Sequence, residues 1–174
     1  ILAGGKGTRL MPLTKITCKQ LLPIYNQQMV LYPLRSLLNA GIKEILFIIS
    51  PEYAGDFLRL LGSGKEFGAK FTYEIQEKPE GLPQAFTIAE NFINNDNVIL
   101  ILGDNIFEDD FTEAIRTFEK GGRIFAKAVT DPERFGVVEF HGERQEVISI
   151  EEKPAAPKSN FAIPGIYIFD KEVS

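Results

Sequence analysis

Cysteine and histidine are almost missing from this 174-residue sequence, which holds one of each, Cys18 and His141. That excludes a disulfide framework and leaves no ligand set for a zinc site. Basic residues are in deficit too, 19 lysines and arginines against 24 carboxylates, for a net charge of −5. No basic stripe is therefore available to displace the counterions of a nucleic acid. No apolar run approaches the ~18 residues that a membrane helix needs. There is no Gly-x-Ser-x-Gly elbow to support a hydrolase triad. The expectation is a soluble, mildly acidic protein of a reducing compartment. At 44% hydrophobic residues and ~150 residues per domain, it has the makings of one domain with a sizeable core.

Apolar runs of strand length alternate with segments of helical period. Ile45–Ile49 and Val98–Leu102 are continuous apolar stretches, as expected for parallel strands buried on both faces, and Ile1-Leu2-Ala3 reads as the remnant of a third. Between them Ala85, Ile88, Ala89, Phe92 and Ile93 line one face of a helix. Phe57, Leu60 and Leu61 repeat that pattern after Ser50-Pro51-Glu52, and Phe111, Ala114, Ile115 and Phe118 do so before Gly121-Gly122. Strand-like stretches without long helices follow at Arg123–Val129, Gly136–Phe140, Val147–Glu151 and Ile163–Phe169. The pattern predicts an α/β fold, βαβα around a mostly parallel sheet with an antiparallel portion added late. Both ends read as cut, so the sequence is expected to be part of a longer protein.

Four segments carry chemistry. In Leu2-Ala3-Gly4-Gly5-Lys6-Gly7-Thr8-Arg9-Leu10 a buried strand runs into three glycines, which lets backbone N–H groups close around an anion. Leu10 stands where a dinucleotide fingerprint needs Gly or Ala, and Gly7 where a Walker loop needs Ser or Thr. Arg9 and Lys19, so close together in a net-acidic chain, favour phosphate over a merely tight turn. Lys19 lies beside the apolar Leu21-Leu22-Pro23, which can hold its stem. Asp104, in Leu102-Gly103-Asp104-Asn105, falls just past a buried parallel strand, where open α/β sheets bind ligands, and its carboxylate is a hard ligand suited to Mg²⁺. Glu151-Glu152-Lys153-Pro154 follows a strand, and a lysine so flanked by carboxylates is most often a surface ion pair, a role in the site requiring it to point into the cleft. Cys18 reads as a small filler.

In order and spacing these segments resemble one family, the sugar-1-phosphate nucleotidyltransferases, and within it the thymidylyltransferase group. The resemblance is carried by the glycine loop with Pro12-Leu13-Thr14, Lys19-Gln20-Leu21-Leu22-Pro23 and Gly81-Leu82-Pro83-Gln84-Ala85-Phe86. It continues through Leu102-Gly103-Asp104-Asn105-Ile106-Phe107, Asp131-Pro132-Glu133-Arg134-Phe135-Gly136-Val137-Val138, Glu151-Glu152-Lys153-Pro154 and Pro157-Lys158-Ser159-Asn160, so it covers nearly the whole chain.

The resemblance implies a Rossmann-like fold, three layers α/β/α around a mostly parallel, mixed sheet. Residues 1–174 would form a single catalytic domain cut at both ends. The implied reaction is Mg²⁺-dependent, with dTTP and glucose 1-phosphate giving dTDP-glucose and pyrophosphate by in-line attack on the α-phosphorus. Carried over by position, Leu2, Gly4, Gly5, Gly7 and Thr8 would wrap the nucleotide, and Gln76 and Gly81 would read the base. Arg9, Lys19, Asp104 and Lys153 would be catalytic, with Asp104 as the metal ligand. Asn105, Gly136, Glu152 and Ile163 would line the sugar site. Relatives carry a second metal-binding Asp in a Trp-Leu-Asp-Thr-Gly setting that this sequence does not reach, which predicts low turnover for these residues alone. A cytoplasmic homo-tetramer with no nucleic-acid or membrane partner is also implied. Uridylyl- and cytidylyltransferases share the glycine loop and Asp104. A non-catalytic module would be expected to lose Arg9 or Lys19, and both are present.

Overall fold

The structure, a computed structural model, describes residues 1–5, 7–141 and 146–173; Lys6 of the glycine loop lies outside the described residues. The chain runs through β1 (Leu2–Ala3), a hairpin of β2 (Pro23–Ile24) and β3 (Gln27–Gln28), α1 (Leu31–Asn39), β4 (Glu44–Ile49), α2 (Ala54–Leu61) and β5 (Lys70–Ile75). It continues with α3 (Pro83–Ile93), β6 (Val98–Ile101), α4 (Thr112–Arg116), β7 (Gly122–Ile124), β8 (Lys127–Ala128), β9 (Gly136–His141), β10 (Glu146–Glu152), β11 (Phe161–Ala162) and β12 (Ile166–Phe169).

Strand β4 is parallel to both β1 and β5. On the other side of β1, Leu2 makes a parallel bridge to Leu102, and the Gly103 N–H donates to the Leu2 carbonyl at 2.9 Å. Strand β12 then pairs antiparallel with both β6 and β7. Strands β10, β9, β11 and β8 form a separate antiparallel sheet. After β1 the chain builds β4 and β5 on one side, then returns to lay β6 on the other. The order reverses at β1, so a crevice opens where β1 and β6 end, the place where such sheets bind ligands.

The continuous apolar run of β4 follows from burial on both faces. Ile45, Phe47 and Ile49 pack in one cluster with Leu34 and Leu37 of α1 and Phe57 and Leu61 of α2. Leu46 and Ile48 face the opposite way, packing with Ala85, Ala89 and Ile93 of α3 and with Leu100. Phe47 is wholly buried and stacks on Tyr73, with Phe71 edge-on at 5.1 Å. No helix among the described residues is long and apolar enough to cross a membrane.

Three expectations need correction. The helix over 111–118 shrinks to α4, as Arg123 Nη1 donates to the Ala114 carbonyl and the Phe118 N–H turns back to the Ile115 carbonyl at 3.3 Å, while Gly122 opens β7 rather than stopping the helix. The stretch 123–129 divides into β7 and β8. The stretch 163–169 yields only β12, since Pro164 has no N–H to donate and β11 ends before it.

Candidate active site

Gly4 leaves β1 and begins the glycine loop, which turns through Gly7 in the left-handed region (φ 62°) into a single turn of 3-10 helix, Thr8–Leu10. The Thr14 hydroxyl ties this turn down by donating to the Gly7 carbonyl at 2.9 Å. A Cβ at Gly7 would stand 2.9 Å from Lys19 Cβ, so the loop and the Lys19 segment are in close contact. The backbone N–H groups of Gly4, Gly5, Thr8 and Arg9 donate to no other backbone group among the described residues. N–H groups left without backbone partners in a glycine-rich turn are what an anion-binding loop offers. Arg9 is exposed beside them, with no ion-pair partner among the described residues.

Beside the loop, Lys19 Nζ lies 2.9 Å from Asp104 Oδ2, just past the end of β6. Both side chains are about one-third exposed, so the pair faces the opening rather than the core. The other Asp104 oxygen accepts from Asn105 Nδ2 at 3.1 Å, and Asn105 Oδ1 in turn accepts from the Gly165 N–H at 3.2 Å. Asn105 thereby ties the Asp104 turn to the start of β12. Among the described residues no three His, Cys, Asp or Glu side chains cluster as a metal site. Asp104 stands as a lone carboxylate, which fits a Mg²⁺ ion that keeps water and phosphate oxygens as its other ligands.

Gln20, which the residue pattern did not single out, is only 4% exposed, and its Oε1 has no hydrogen-bond partner among the described residues. It sits between the two strand ends, its Nε2 3.5 Å from where a Cβ at Gly5 would be and its Cγ 3.3 Å from one at Gly103. A buried amide oxygen left unpaired is rare and points to a missing partner. Only its place beside Lys19 could have marked it.

Gln76 is also 4% exposed. Its Oε1 comes so close to Gly4 that a Cβ there would be 2.2 Å away. Its Nε2 donates to Gln84 Oε1 at 2.7 Å, and Gln84 belongs to the same loop-to-helix turn as Gly81, which has φ 101°. Glycine loop, Gln76 and Gly81 are thus parts of one region.

Gly136, Glu152 and Ile163 also come together. Gly136 and Glu152 are register partners of β9 and β10, a Cβ at Gly136 would be 3.1 Å from Glu152 Oε2, and the Ile163 N–H donates to the Gly136 carbonyl at 2.8 Å. Lys153 is 61% exposed in its side chain, pairs with Glu152 at 3.1 Å, and is not within ion-pair distance of Asp104. An apolar cavity of about 330 Å³, lined by Ile1, Leu46, Ala89 and Leu100 among others, lies toward the starts of β4 and β6 and includes none of these residues.

Residues 1–174 match the family described as nucleotidyl transferase. The chain is 52% identical over 174 residues to the glucose-1-phosphate thymidylyltransferase of Neisseria meningitidis serogroup A, covering 98% of this chain and 60% of that protein. It is 51% identical to the enzyme of the same name from Mycolicibacterium smegmatis, over 99% and 61%. A Bacillus anthracis protein, solved with sucrose and described as a candidate glucose-1-phosphate thymidylyltransferase, superposes with a TM-score of 0.94. It is 43% identical, over 98% of this chain and 70% of that one. An apo UDP-glucose pyrophosphorylase at 22% identity and TM-score 0.83 shares the fold. The chain spans about 60% of the length of the curated relatives it matches.

Proposed function

Because the chain belongs to the nucleotidyl transferase family, we propose that the protein containing it joins dTTP and glucose 1-phosphate into dTDP-glucose, releasing pyrophosphate. The reading rests chiefly on one observation, the 2.9 Å Lys19–Asp104 pair beside a glycine loop whose N–H groups have no backbone partner among the described residues. Cation, carboxylate and anion cradle meet there, where the strand order reverses. Clusters on both faces of β4 support a three-layer α/β/α arrangement with the site at its edge.

In this reading a phosphate oxygen of the sugar forms a bond to the α-phosphorus as the α–β anhydride bond breaks, and pyrophosphate departs with the bonding electrons. No covalent intermediate with the protein is required, so the residues work by position and charge. The glycine-loop N–H groups hold the phosphates, and Arg9 meets the charge gathering on the pyrophosphate. Lys19 exchanges its carboxylate partner for phosphate oxygens. Gln76 and Gly81 receive the base, with the Gln20 amide packed beside Gly5 and Gly103. Gly136, Glu152, Ile163 and Asn105 shape the sugar site, with Lys153 released from Glu152 to meet the sugar phosphate. Mg²⁺ held by Asp104 would neutralise phosphate charge between nucleophile and leaving group. The proposal extends to a cytoplasmic homo-tetramer.

Calorimetric titration with dTTP, UTP, CTP, ATP and GTP, with and without Mg²⁺, tests this. Preference for dTTP, weakened about tenfold or more by Arg9→Ala and by Lys19→Ala, is expected from losing one charge-assisted contact. Equal affinity for all five would sink the base-site assignment. Unchanged affinity in both variants would sink the phosphate loop.

A further inference from the structure

We propose that Gln84 is a positioning residue that fixes which end of the Gln76 amide faces the nucleobase, and thereby selects pyrimidines that carry an N3–H. The inference rests on the reading of Gln76 and Gly81 as the base site. A side-chain amide has a donor end and an acceptor end of nearly the same shape, so its neighbours decide its orientation.

The neighbours of Gln84 leave it one orientation. The backbone N–H of Glu80 can only donate, and it reaches Gln84 Oε1 at 3.0 Å. The Glu80 carboxylate accepts from Gln84 Nε2, also at 3.0 Å. With the Gln84 oxygen pinned in this way, the group that Gln76 presents to it at 2.7 Å must be its donor, Nε2. Gln76 Oε1 is then the end turned toward Gly4 and the crevice. The Gln76 N–H, donating to the Ile49 carbonyl at 2.8 Å, anchors the backbone at the end of β4.

An acceptor facing a ligand calls for a donor. Thymine and uracil carry N–H at ring position 3, while cytosine carries a bare nitrogen lone pair there. Oxygen against lone pair leaves two acceptors unsatisfied, which should weaken cytosine nucleotides about tenfold to hundredfold. Gln84 itself need touch no nucleotide. It acts by denying Gln76 the flipped amide that would suit cytosine.

The test is titration of the chain with dTTP, dUTP and dCTP at fixed Mg²⁺. Gln84→Leu removes both anchors, and the dTTP-to-dCTP affinity ratio should fall about tenfold or more, chiefly through tighter dCTP, with dUTP following dTTP. A merely structural role would weaken all three alike, and that result overturns the proposal. The double variant Glu80→Gln/Gln84→Glu exchanges carboxylate and amide yet still offers Gln76 an acceptor, so it should keep the ratio. Should Gln84→Leu fail to fold, the double variant decides alone, with a kept ratio supporting the proposal and a collapsed one overturning it. Gln76→Ala separates the two layers of the argument. If it leaves the ratio intact, the base-site reading fails as well. If it abolishes the ratio while Gln84→Leu preserves it, only the role of Gln84 fails.

Discussion

Replacing Asp104 by asparagine should split nucleotide binding into two responses of opposite sign. Asparagine keeps an oxygen for the bond from Asn105 Nδ2, so the local turn survives. It loses the charge that faces Lys19 Nζ at 2.9 Å. Without Mg²⁺, the freed ammonium is available to phosphate, and dTTP should bind as tightly as before or tighter. With Mg²⁺, the metal would lose the Asp104 carboxylate proposed to hold it. The gain in affinity that the metal confers should then drop about tenfold to hundredfold. Both side chains are about one-third exposed, so their pairing contributes under ~1 kcal/mol to stability. A change of that size in binding could not be mistaken for unfolding. Titrations of wild type and Asp104→Asn, each with Mg²⁺ and with a chelator, measure all four affinities. A full metal increment in the variant would remove Asp104 from the metal site. Lys19→Ala is the converse control, losing metal-free affinity while keeping the increment.

The parts of this arrangement that could be read from residue order share a physical cause. Strand β4 is buried on both faces and so writes an unbroken apolar run, and α3 packs on one side and writes a helical period. Strand β5 escaped notice because it carries Lys70, Thr72 and Glu74 among its apolar residues and is paired with β4 alone. Helix α1 was hidden by Pro33 in its Leu-Tyr-Pro-Leu start, where a proline in the first turn costs no hydrogen bond. In the crevice, charge and glycine announce themselves, so Arg9, Lys19, Asp104 and the loop stood out. Gln20 and Gln84 did not, because an uncharged amide gains significance only from where its two ends point, and that is a property of the fold. Lys153 illustrates the reverse. Its setting among carboxylates admitted a surface ion pair as well as a site, and the free chain holds it in a pair with Glu152, at φ 45°.

The second large effect is expected from a single methyl group. Gly4→Ala would put a Cβ 2.2 Å from Gln76 Oε1 and 3.3 Å from its Cδ. The first distance is far inside the ~3.5 Å at which non-bonded atoms sit comfortably. A solvated glutamine would swing aside, but Gln76 is 4% exposed and tethered to Gln84 at 2.7 Å. The amide must either break that tether or push the loop outward. Overpacking of this kind costs about 1–3 kcal/mol. It would also move the proposed base and phosphate sites together, so dTTP affinity should fall by more than tenfold. Gly5→Ala is the matched control for stability, since among the described residues its Cβ would meet only Gln20 Nε2, at an ordinary 3.5 Å. Its stability should stay near that of wild type. The cause can be isolated by emptying the space. If the Gln76 amide is what the new methyl strikes, Gly4→Ala/Gln76→Ala should be no less stable than Gln76→Ala alone, a strongly non-additive cycle. Denaturant melts of the four proteins give the coupling energy. Additive losses would mean that the glycine is needed for the loop's own backbone and not for its approach to Gln76.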